Sequence, residues 1–499
     1  MTRPAAQHGP ASPAGRRVTV VGLGRFGGGV GVTRWLCRQG AHVTVSDKAG
    51  AGDLAASLEQ LRDVDPTLHL GEHRREDFLR ADLLVVNPAV PPDLPELAEA
   101  DRAGVPRTTE INLFLERCPA PVAAVTGTVG KSTTTAMLGA ILSADRPTHV
   151  GGNIGRSLLG ELDAIRPDHV VVLELSSFQL EELPRIARSP HVAVVTNLAP
   201  NHLDRHGTLA AYAEAKKNIF RFQGPRDVLV LNAACNLTRQ WADEAPGRVV
   251  FFEPAPVGRA TRCSRNRNHG KASREQQSCL PYDTDPQSAP FDLAVPGAHN
   301  QANAQAAWTA ARQLGVGRAV AAAALAEFHG LPHRLQFVAE RDGVRYVNDS
   351  KCTTPEGVAA ALEAFGPRRA VLIAGGYDKG VDLAPLARAA ATRAKAVVLL
   401  GATAERIAAD LAAARSISPG RPADRTGAAS HAHGATYDMP VERAGDLPDA
   451  VTRARGLAEP GDVVLLCPGC ASYDQFANYE QRGEAFAELA DGSTPATSP

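Results

Sequence analysis

The stretch that most limits what this chain can fold into is Gly127-Thr128-Val129-Gly130-Lys131-Ser132-Thr133. It follows the apolar run Val122-Ala123-Ala124-Val125-Thr126 and leads into a helix-forming segment, 132–142. A glycine turn between a strand and a helix is a phosphate cradle. Backbone N–H groups point at the anion, the helix N-terminus adds partial positive charge, and a lysine adds a full one. A hydroxyl beside that lysine, here Ser132, can reach a phosphate-bound Mg²⁺. The turn is shorter than the common G-x-x-x-x-G-K-[ST] loop. The bland alternative is a strand-to-helix turn with an incidental lysine, but strand, paired glycines, lysine and hydroxyls stand in the order that phosphate binding needs.

Around this loop the chain has 499 residues, room for roughly two to four domains. Hydrophobic residues make up 44% and aromatic ones only 5%, so its cores are aliphatic. A net charge of −1 argues against a non-specific nucleic-acid or membrane-surface binder. The Pro/Ala-rich tail 1–15 lacks the apolar core of a secretory signal, and no run approaches the ~18 apolar residues of a membrane span. Eight scattered cysteines suit a reducing cytoplasm. Cys467-Pro468-Gly469-Cys470 follows an apolar run and reads as a strand exit, with a redox or metal pair as the lesser reading.

A second glycine turn, Gly22-Leu23-Gly24-Arg25-Phe26-Gly27, follows a β-branched run, and Asp47 closes the next strand. In isolation this predicts a Rossmann-like domain and an NAD-dependent oxidoreductase. A UDP-sugar carries the same pyrophosphate, so the turn does not choose between them; Asp47 can accept from a ribose or a base. A third strand, 82–87, runs into the proline-rich stretch 88–92, which is either a ligand-side loop or a plain connection. Beyond the cradle, Asn153 lies in another glycine turn, and the apolar strand 169–174 ends in Glu174, where a Mg²⁺ ligand is expected beside a P-loop. His202 and Asp204 follow the strand 191–197, and Lys216 lies in a helical segment. Residues 254–288 read as a long exposed insert; a zinc set of Cys263, His269 and Cys279 lacks an evident fourth ligand. Asn300 opens a helix, as a cap or a ligand contact.

In the last third, strands at 345–348, 369–374, 396–400 and 462–466 alternate with Ala-rich helices, which predicts a second parallel α/β sheet. Three of their exits carry Lys351 and Thr353, Lys379, and Ser472 and Tyr479. Converging donors of this kind suit a small dicarboxylate.

The cradle, Leu173-Glu174-Leu175-Ser176-Ser177-Phe178-Gln179-Leu180, Asn201-His202-Leu203-Asp204-Arg205-His206 and Tyr212-Ala213-Glu214-Ala215-Lys216 together resemble the Mur ligase family, ATP-dependent ligases of peptidoglycan precursor synthesis. The resemblance spans residues 17–486. The runs Asn348-Asp349-Ser350-Lys351-Cys352-Thr353, Gly375-Gly376-Tyr377-Asp378-Lys379-Gly380 and Cys470-Ala471-Ser472-Tyr473-Asp474-Gln475-Phe476 are most similar to members that add D-glutamate to UDP-N-acetylmuramoyl-L-alanine.

The resemblance implies an α/β protein of three domains: a Rossmann-like uridine-nucleotide domain (16–109), a central P-loop ATPase domain with a mostly parallel sheet (110–330), and a C-terminal Rossmann-like domain (331–490), with tails 1–15 and 491–499. It implies ATP at Gly127, Thr128, Val129, Gly130, Lys131, Ser132, Thr133, Asn300, Arg334 and Asp349. Mg²⁺, in two sites, would be held by Ser132, Glu174, His202 and an N-carboxylated Lys216. Lys131, Glu174, His202 and Lys216 would be catalytic. Gly22, Gly24, Gly27, Asp47, Asn153 and His202 would hold the UDP substrate, and Lys351, Thr353, Lys379, Ser472 and Tyr479 the D-glutamate. Closure of the site is expected, because an acyl phosphate must be kept from water. A cytoplasmic monomer acting on small molecules, with neither nucleic acid nor membrane as partner, completes the reading. A sibling ligase adding another amino acid and a non-catalytic P-loop switch are the alternatives. Five positions depart from the family pattern: Val129 for Asn, Cys467 for Ser, Asn87 and Ala89 in Asn87-Pro88-Ala89 for Ser-Pro-Gly, and Tyr479 for Phe.

Overall fold

The computed structural model describes residues 12–24, 28–154, 157–253, 289–295, 297–378, 380–416 and 439–492. Gly27, Lys379 and the 254–288 insert with Cys263, His269 and Cys279 lie outside them, as does the side chain of Asp204. The chain divides into two compact units, Met1–Asp292 with His299–Ala326, and Leu293–Ala298 with Glu327–Pro499.

The first unit holds two sheets. β1 (Arg17–Val21), β2 (His42–Asp47), β3 (Thr67–Leu70), β4 (Leu83–Val86) and β5 (Arg107–Thr108) form an all-parallel sheet in the order β3-β2-β1-β4-β5. The order reverses at β1, which sets the glycine turn after β1 beside the proline-rich loop after β4, at the crevice where such sheets take ligands. The sequence reading missed β3, because Thr67-Leu68-His69-Leu70 is an edge strand with no buried residue and gives no apolar signal.

β6 (Val122–Thr126), β7 (Thr148–Gly152), β8 (Val170–Glu174), β9 (Val192–Val195), β10 (Val228–Asn232) and β11 (Arg248–Phe252) form the second sheet, also parallel, in the order β11-β10-β9-β6-β8-β7. β6, β8 and β9 are buried at every position. Continuous apolar runs are what a sheet covered on both faces requires. β6 lies between β8 and β9, so the exits of both neighbours flank its glycine turn. One apolar core runs from Val18 and Leu36 through Phe114 and Leu173 to Leu229, joining the two sheets of this unit.

The second unit carries β12 (Gln336–Arg341), β13 (Val344–Asn348), β14 (Ala370–Gly375), β15 (Ala396–Leu400), β16 (Val441–Arg443) and β17 (Val463–Leu466), in the order β12-β13-β17-β14-β15-β16. The strands expected from the sequence, β13, β17, β14 and β15, pair in parallel, and the edge strand β12, which the sequence reading missed, adds to β13 antiparallel. The reason is local. Asp342 and Gly343 form a two-residue turn with φ of 53° and 74°. Two positive φ values in succession give the turn whose twist matches a hairpin, and Asp-Gly is its usual sequence. No helix among the described residues is long and apolar enough to cross a membrane.

Candidate functional site

The cradle is shaped by its neighbour across the sheet. At Gly127, φ is 150° and a Cβ would collide with Thr196 Oγ1, so only glycine fits. Gly130 caps the helix Lys131–Ser143 in the left-handed region, and a Cβ there would stand 2.5 Å from Asn303 Oδ1. Asn197, on the exit of β9, frames the loop. Its Oδ1 accepts from the N–H groups of Thr128 (3.2 Å) and Val129 (3.0 Å), and its Nδ2 donates to Val129 O (3.0 Å). Thr196 Oγ1 donates to the same carbonyl at 2.7 Å. Val129 itself points out, 65% exposed. The loop therefore keeps its shape without a polar side chain at position 129. Lys131 Nζ donates to Thr128 O at 3.0 Å, and Ser132 and Thr133 are buried in the first helical turn.

Glu174 ends β8 opposite Val125, one strand from the cradle, and is 1% exposed. Its Oε1 accepts from Asn153 Nδ2 at 2.7 Å, while Oε2 is buried with no hydrogen-bond partner among the described residues. Leaving a carboxylate oxygen so is costly unless a cation meets it. Lys216 is buried on the helix Leu209–Arg221; its Nζ donates to Gly127 O (2.8 Å) and Thr126 Oγ1 (3.3 Å) and lies 4.5 Å from the Tyr212 ring centre. Burial, then the charge of Lys131, pushes its pKa down to about 7 against the pull of Glu174.

His202 lies on the exit of β9 at a φ of 53°, exposed, edge-on to Phe178 at 5.1 Å. His206, quoted in the run Asn201–His206 but given no role there, has a side chain that is 2% exposed and pairs with Ser177 Oγ (3.0 Å) and Glu181 Oε1 (3.1 Å). Arg205, from the same run, stacks 4.3 Å from the Phe178 ring centre and donates to Pro88 O at 2.8 Å, tying the proline-rich loop of the first sheet to this cluster. Asn300 is buried and accepts from Asn303 Nδ2 at 3.4 Å; Thr134 Oγ1 donates to Asn303 Oδ1 at 3.2 Å, so Asn303 stands against the cradle helix.

A cavity of about 280 Å³ is lined by Gly22, Gly24, Asn87, Asn153, Glu110, Ser157 and Gln179, among others. The glycine turn and Asn153 thus face one hollow. Asp47 acts locally instead. Its Oδ2 accepts from the N–H groups of Leu23 (2.8 Å) and Gly24 (3.2 Å), and its Oδ1 from Ala49 N–H (2.8 Å). The acid holds the turn in shape. A larger hollow, about 1080 Å³, opens at the amino ends of β6, β9 and β10, around Val122, Val192 and Val228, away from the cradle.

Glu110, unremarked in the sequence, faces the smaller cavity and accepts from Ser157 Oγ at 2.5 Å. Burial raises its pKa from 4.5 to about 7. A folded pKa above the unfolded one means that the folded state holds the proton longer. Stability is therefore lost as pH rises through the window from about 4.5 to about 7, by about 3 kcal/mol at most. Glu110→Gln should accordingly raise the melting temperature more at about pH 8 than at about pH 5. An equal change at both pH values would contradict the buried acid.

In the second unit, the exits of β13, β17 and β14 are side by side because β17 sits between the other two. Asp349 is 7% exposed; Oδ1 accepts from Leu335 N–H (3.1 Å) and Oδ2 from the Cys467 thiol (3.2 Å). Burial raises its pKa to about 6, against these bonds and the charge of Arg334. Lys351 Nζ lies 5.4 Å from the centre of the Tyr479 ring, which is edge-on to His333. Thr353 is half-buried and Ser472 buried. Arg482 braces the exits of β13 and β17. Its guanidinium donates to Ser350 Oγ (3.0 Å), Ser350 O (2.9 Å), Ala471 O (3.1 Å) and Cys470 O (3.2 Å), and burial lowers its pKa to about 10.

Parallel sheets, a glycine cradle with its lysine, and a buried carboxylate one strand away define an α/β enzyme of the P-loop type. Family profiles narrow this. "Mur ligase middle domain" matches residues 125–311, "Mur ligase, glutamate ligase domain" residues 333–470, and "Mur ligase MurD-like, N-terminal domain" residues 16–108. UDP-N-acetylmuramoylalanine–D-glutamate ligase of Roseiflexus sp. is 42% identical across 96% of this chain and 99% of its own length. Its namesake in Symbiobacterium thermophilum is 40% identical across 95% and 98%. Among solved structures, the UDP-N-acetylmuramate-alanine ligase of Thermotoga maritima has the same fold, with a TM-score of 0.58 at 22% identity over 96% of this chain and 100% of that one. The chain belongs to the Mur ligase family.

Proposed function

We propose that the chain is an ATP-dependent ligase that joins the carboxylate of UDP-N-acetylmuramoyl-L-alanine to the amine of D-glutamate in peptidoglycan precursor synthesis. The choice of substrates follows the names of its full-length relatives. The observation that carries the reaction type is the meeting of Lys131, the unpaired Glu174 Oε2 and the buried Lys216 amine around one glycine loop.

A carboxylate is a poor electrophile, so it is activated first. A substrate carboxylate oxygen attacks the γ-phosphorus of ATP, the bond to the β-phosphate oxygen breaks, and ADP leaves. Lys131 and the loop N–H groups hold the transferring phosphoryl, with Gly127, Thr128, Val129, Gly130, Ser132 and Thr133 forming the cradle. The amine of D-glutamate then attacks the acyl carbon, and phosphate leaves as the amide forms. The donor set fits Mg²⁺: Ser132 offers a hydroxyl and Glu174 a buried oxygen lacking a partner. When bound, Mg²⁺ neutralises phosphate charge. His202 and Lys216 would serve a second ion. A neutral lysine amine adds CO₂ and loses a proton to become a carbamate, and a buried lysine with its pKa near 7 is neutral for much of the time.

Asn300, Arg334 and Asp349 contact ATP in this reading. Gly22, Gly24, Gly27, Asn153 and His202 contact the UDP substrate, and Asp47 acts through the turn that it holds. Lys351, Thr353, Lys379, Ser472 and Tyr479 take the glutamate. Domain boundaries near Thr109 and Gly330, a monomeric state and a cytoplasmic location belong to the same proposal. The test is phosphate release from ATP with UDP-N-acetylmuramoyl-L-alanine and a panel of amino acids. D-Glutamate alone should stimulate it; equal stimulation by L-alanine or a diamino acid would overturn the substrate assignment.

A further inference from the structure

Two neighbouring strand exits of the second unit bring together three side chains that can ligate zinc. Asn348 of β13 pairs with Leu466 of β17, and Asp349 N–H donates to Leu466 O at 2.8 Å. That register sets Asp349 beside Cys467, whose thiol donates to Asp349 Oδ2 at 3.2 Å. Gly469 N–H donates to Cys352 O at 3.0 Å, which folds the Cys352 turn over the same exit. A carboxylate oxygen and two sulfurs then lie within 4.8 Å of one another. Zinc bonds of about 2.3 Å to sulfur and about 2.1 Å to oxygen, set tetrahedrally, separate ligand atoms by roughly 3.5–3.8 Å. The cluster is within a small adjustment of one tetrahedral face. Both thiols are free, Cys467 and Asp349 are buried, and Cys352 is half-buried, which leaves a side open to entry. Room for the outer sulfur is made by Gly357, where a Cβ would stand 2.6 Å from Cys352 Sγ. Cys470 is not part of the cluster; it pairs with Thr403 Oγ1 at 3.4 Å, so the two ends of the C-x-x-C stretch have different partners.

We infer that Asp349, Cys352 and Cys467 form a binding site for a soft divalent cation of the zinc class. Two thiolates and one carboxylate select such an ion over Mg²⁺. Binding replaces the Cys467–Asp349 hydrogen bond and releases the two thiol protons to solvent. The cation then occupies the carboxylate assigned above to ATP, so it inhibits turnover. This consequence rests on the proposed function, whereas binding does not.

The test uses the reduced, metal-free full chain titrated with Co²⁺. A thiolate-to-cobalt charge-transfer band should appear and be bleached by Zn²⁺. Cys467→Ser and Cys352→Ala should each lose the band, and Cys470→Ser should keep it. Zn²⁺ should inhibit the unaltered protein, with Cys467→Ser resisting about tenfold or more. No band in the unaltered protein, or an equal band in both Cys467→Ser and Cys352→Ala, overturns the site. Loss of the band in Cys470→Ser alone overturns it too. Binding without ligase activity would sink the proposed function and leave the site standing; activity without binding would do the reverse.

Discussion

Lys131→Ala is expected to lower D-glutamate-dependent phosphate release by about a thousandfold or more, with the fold intact. Lys131 opens the helix Lys131–Ser143 directly behind Gly130. The rest of the cradle offers only partial charges, from N–H groups and the helix end. In the proposed reaction the lysine is the full positive charge placed where phosphoryl charge spreads. In this structure its ammonium closes back on Thr128 O at 3.0 Å, a hydrogen bond to its own loop. Losing that bond costs about 1 kcal/mol of stability, far less than the kinetic effect. The measurement is kcat/KM with all three substrates, together with trapping of the acyl phosphate by hydroxylamine. An unchanged melting temperature with no trapped product is the expected pair of results. Substrate-dependent phosphate release at the normal rate would show that the cradle does not hold the γ-phosphate.

Lys216→Ala should lose about a hundredfold to a thousandfold in turnover and regain part of it with added short carboxylic acids. Lys216 is 1% exposed, and its amine is held under Gly127 O with a depressed pKa. An ammonium there would repel a metal held by Glu174, whereas a carbamate carries the opposite charge. Truncation opens a hollow beside Tyr212 that formate or acetate can enter, restoring an anion without a covalent bond. Rescue by carboxylates but not by alkylamines is the diagnostic result. Full activity of the variant without additive would rule out carboxylation as a requirement.

The parts of this site that were legible in the sequence are those whose signal is short. Gly127, Gly130, Lys131 and Ser132 are fixed relative to each other by a strand, a turn and a helix in succession. Glu174 and Lys216 each stand out against a buried strand or an apolar helix face. Even the hairpin at Asp342-Gly343 was written plainly; it was overlooked because the strands around it were read as a parallel series. The parts played by Asn197, His206 and Arg482 were not legible. Asn197 looks like any polar strand exit until β9 is known to lie beside β6. Asp47 has the spacing of a ribose acceptor, yet its oxygens are taken by the turn itself.

By itself the sequence determined the local elements, the aliphatic cores and the chemistry that each strand exit can offer, because these depend on backbone propensity and on periodicities of two and 3.6 residues. Tertiary structure alone decided which exits meet. Strand order is a long-range property, and local pattern is blind to it: β17, the last of the described strands, enters between β13 and β14. That insertion sets Cys467 against Asp349 and lets Arg482 brace two loops far apart in sequence.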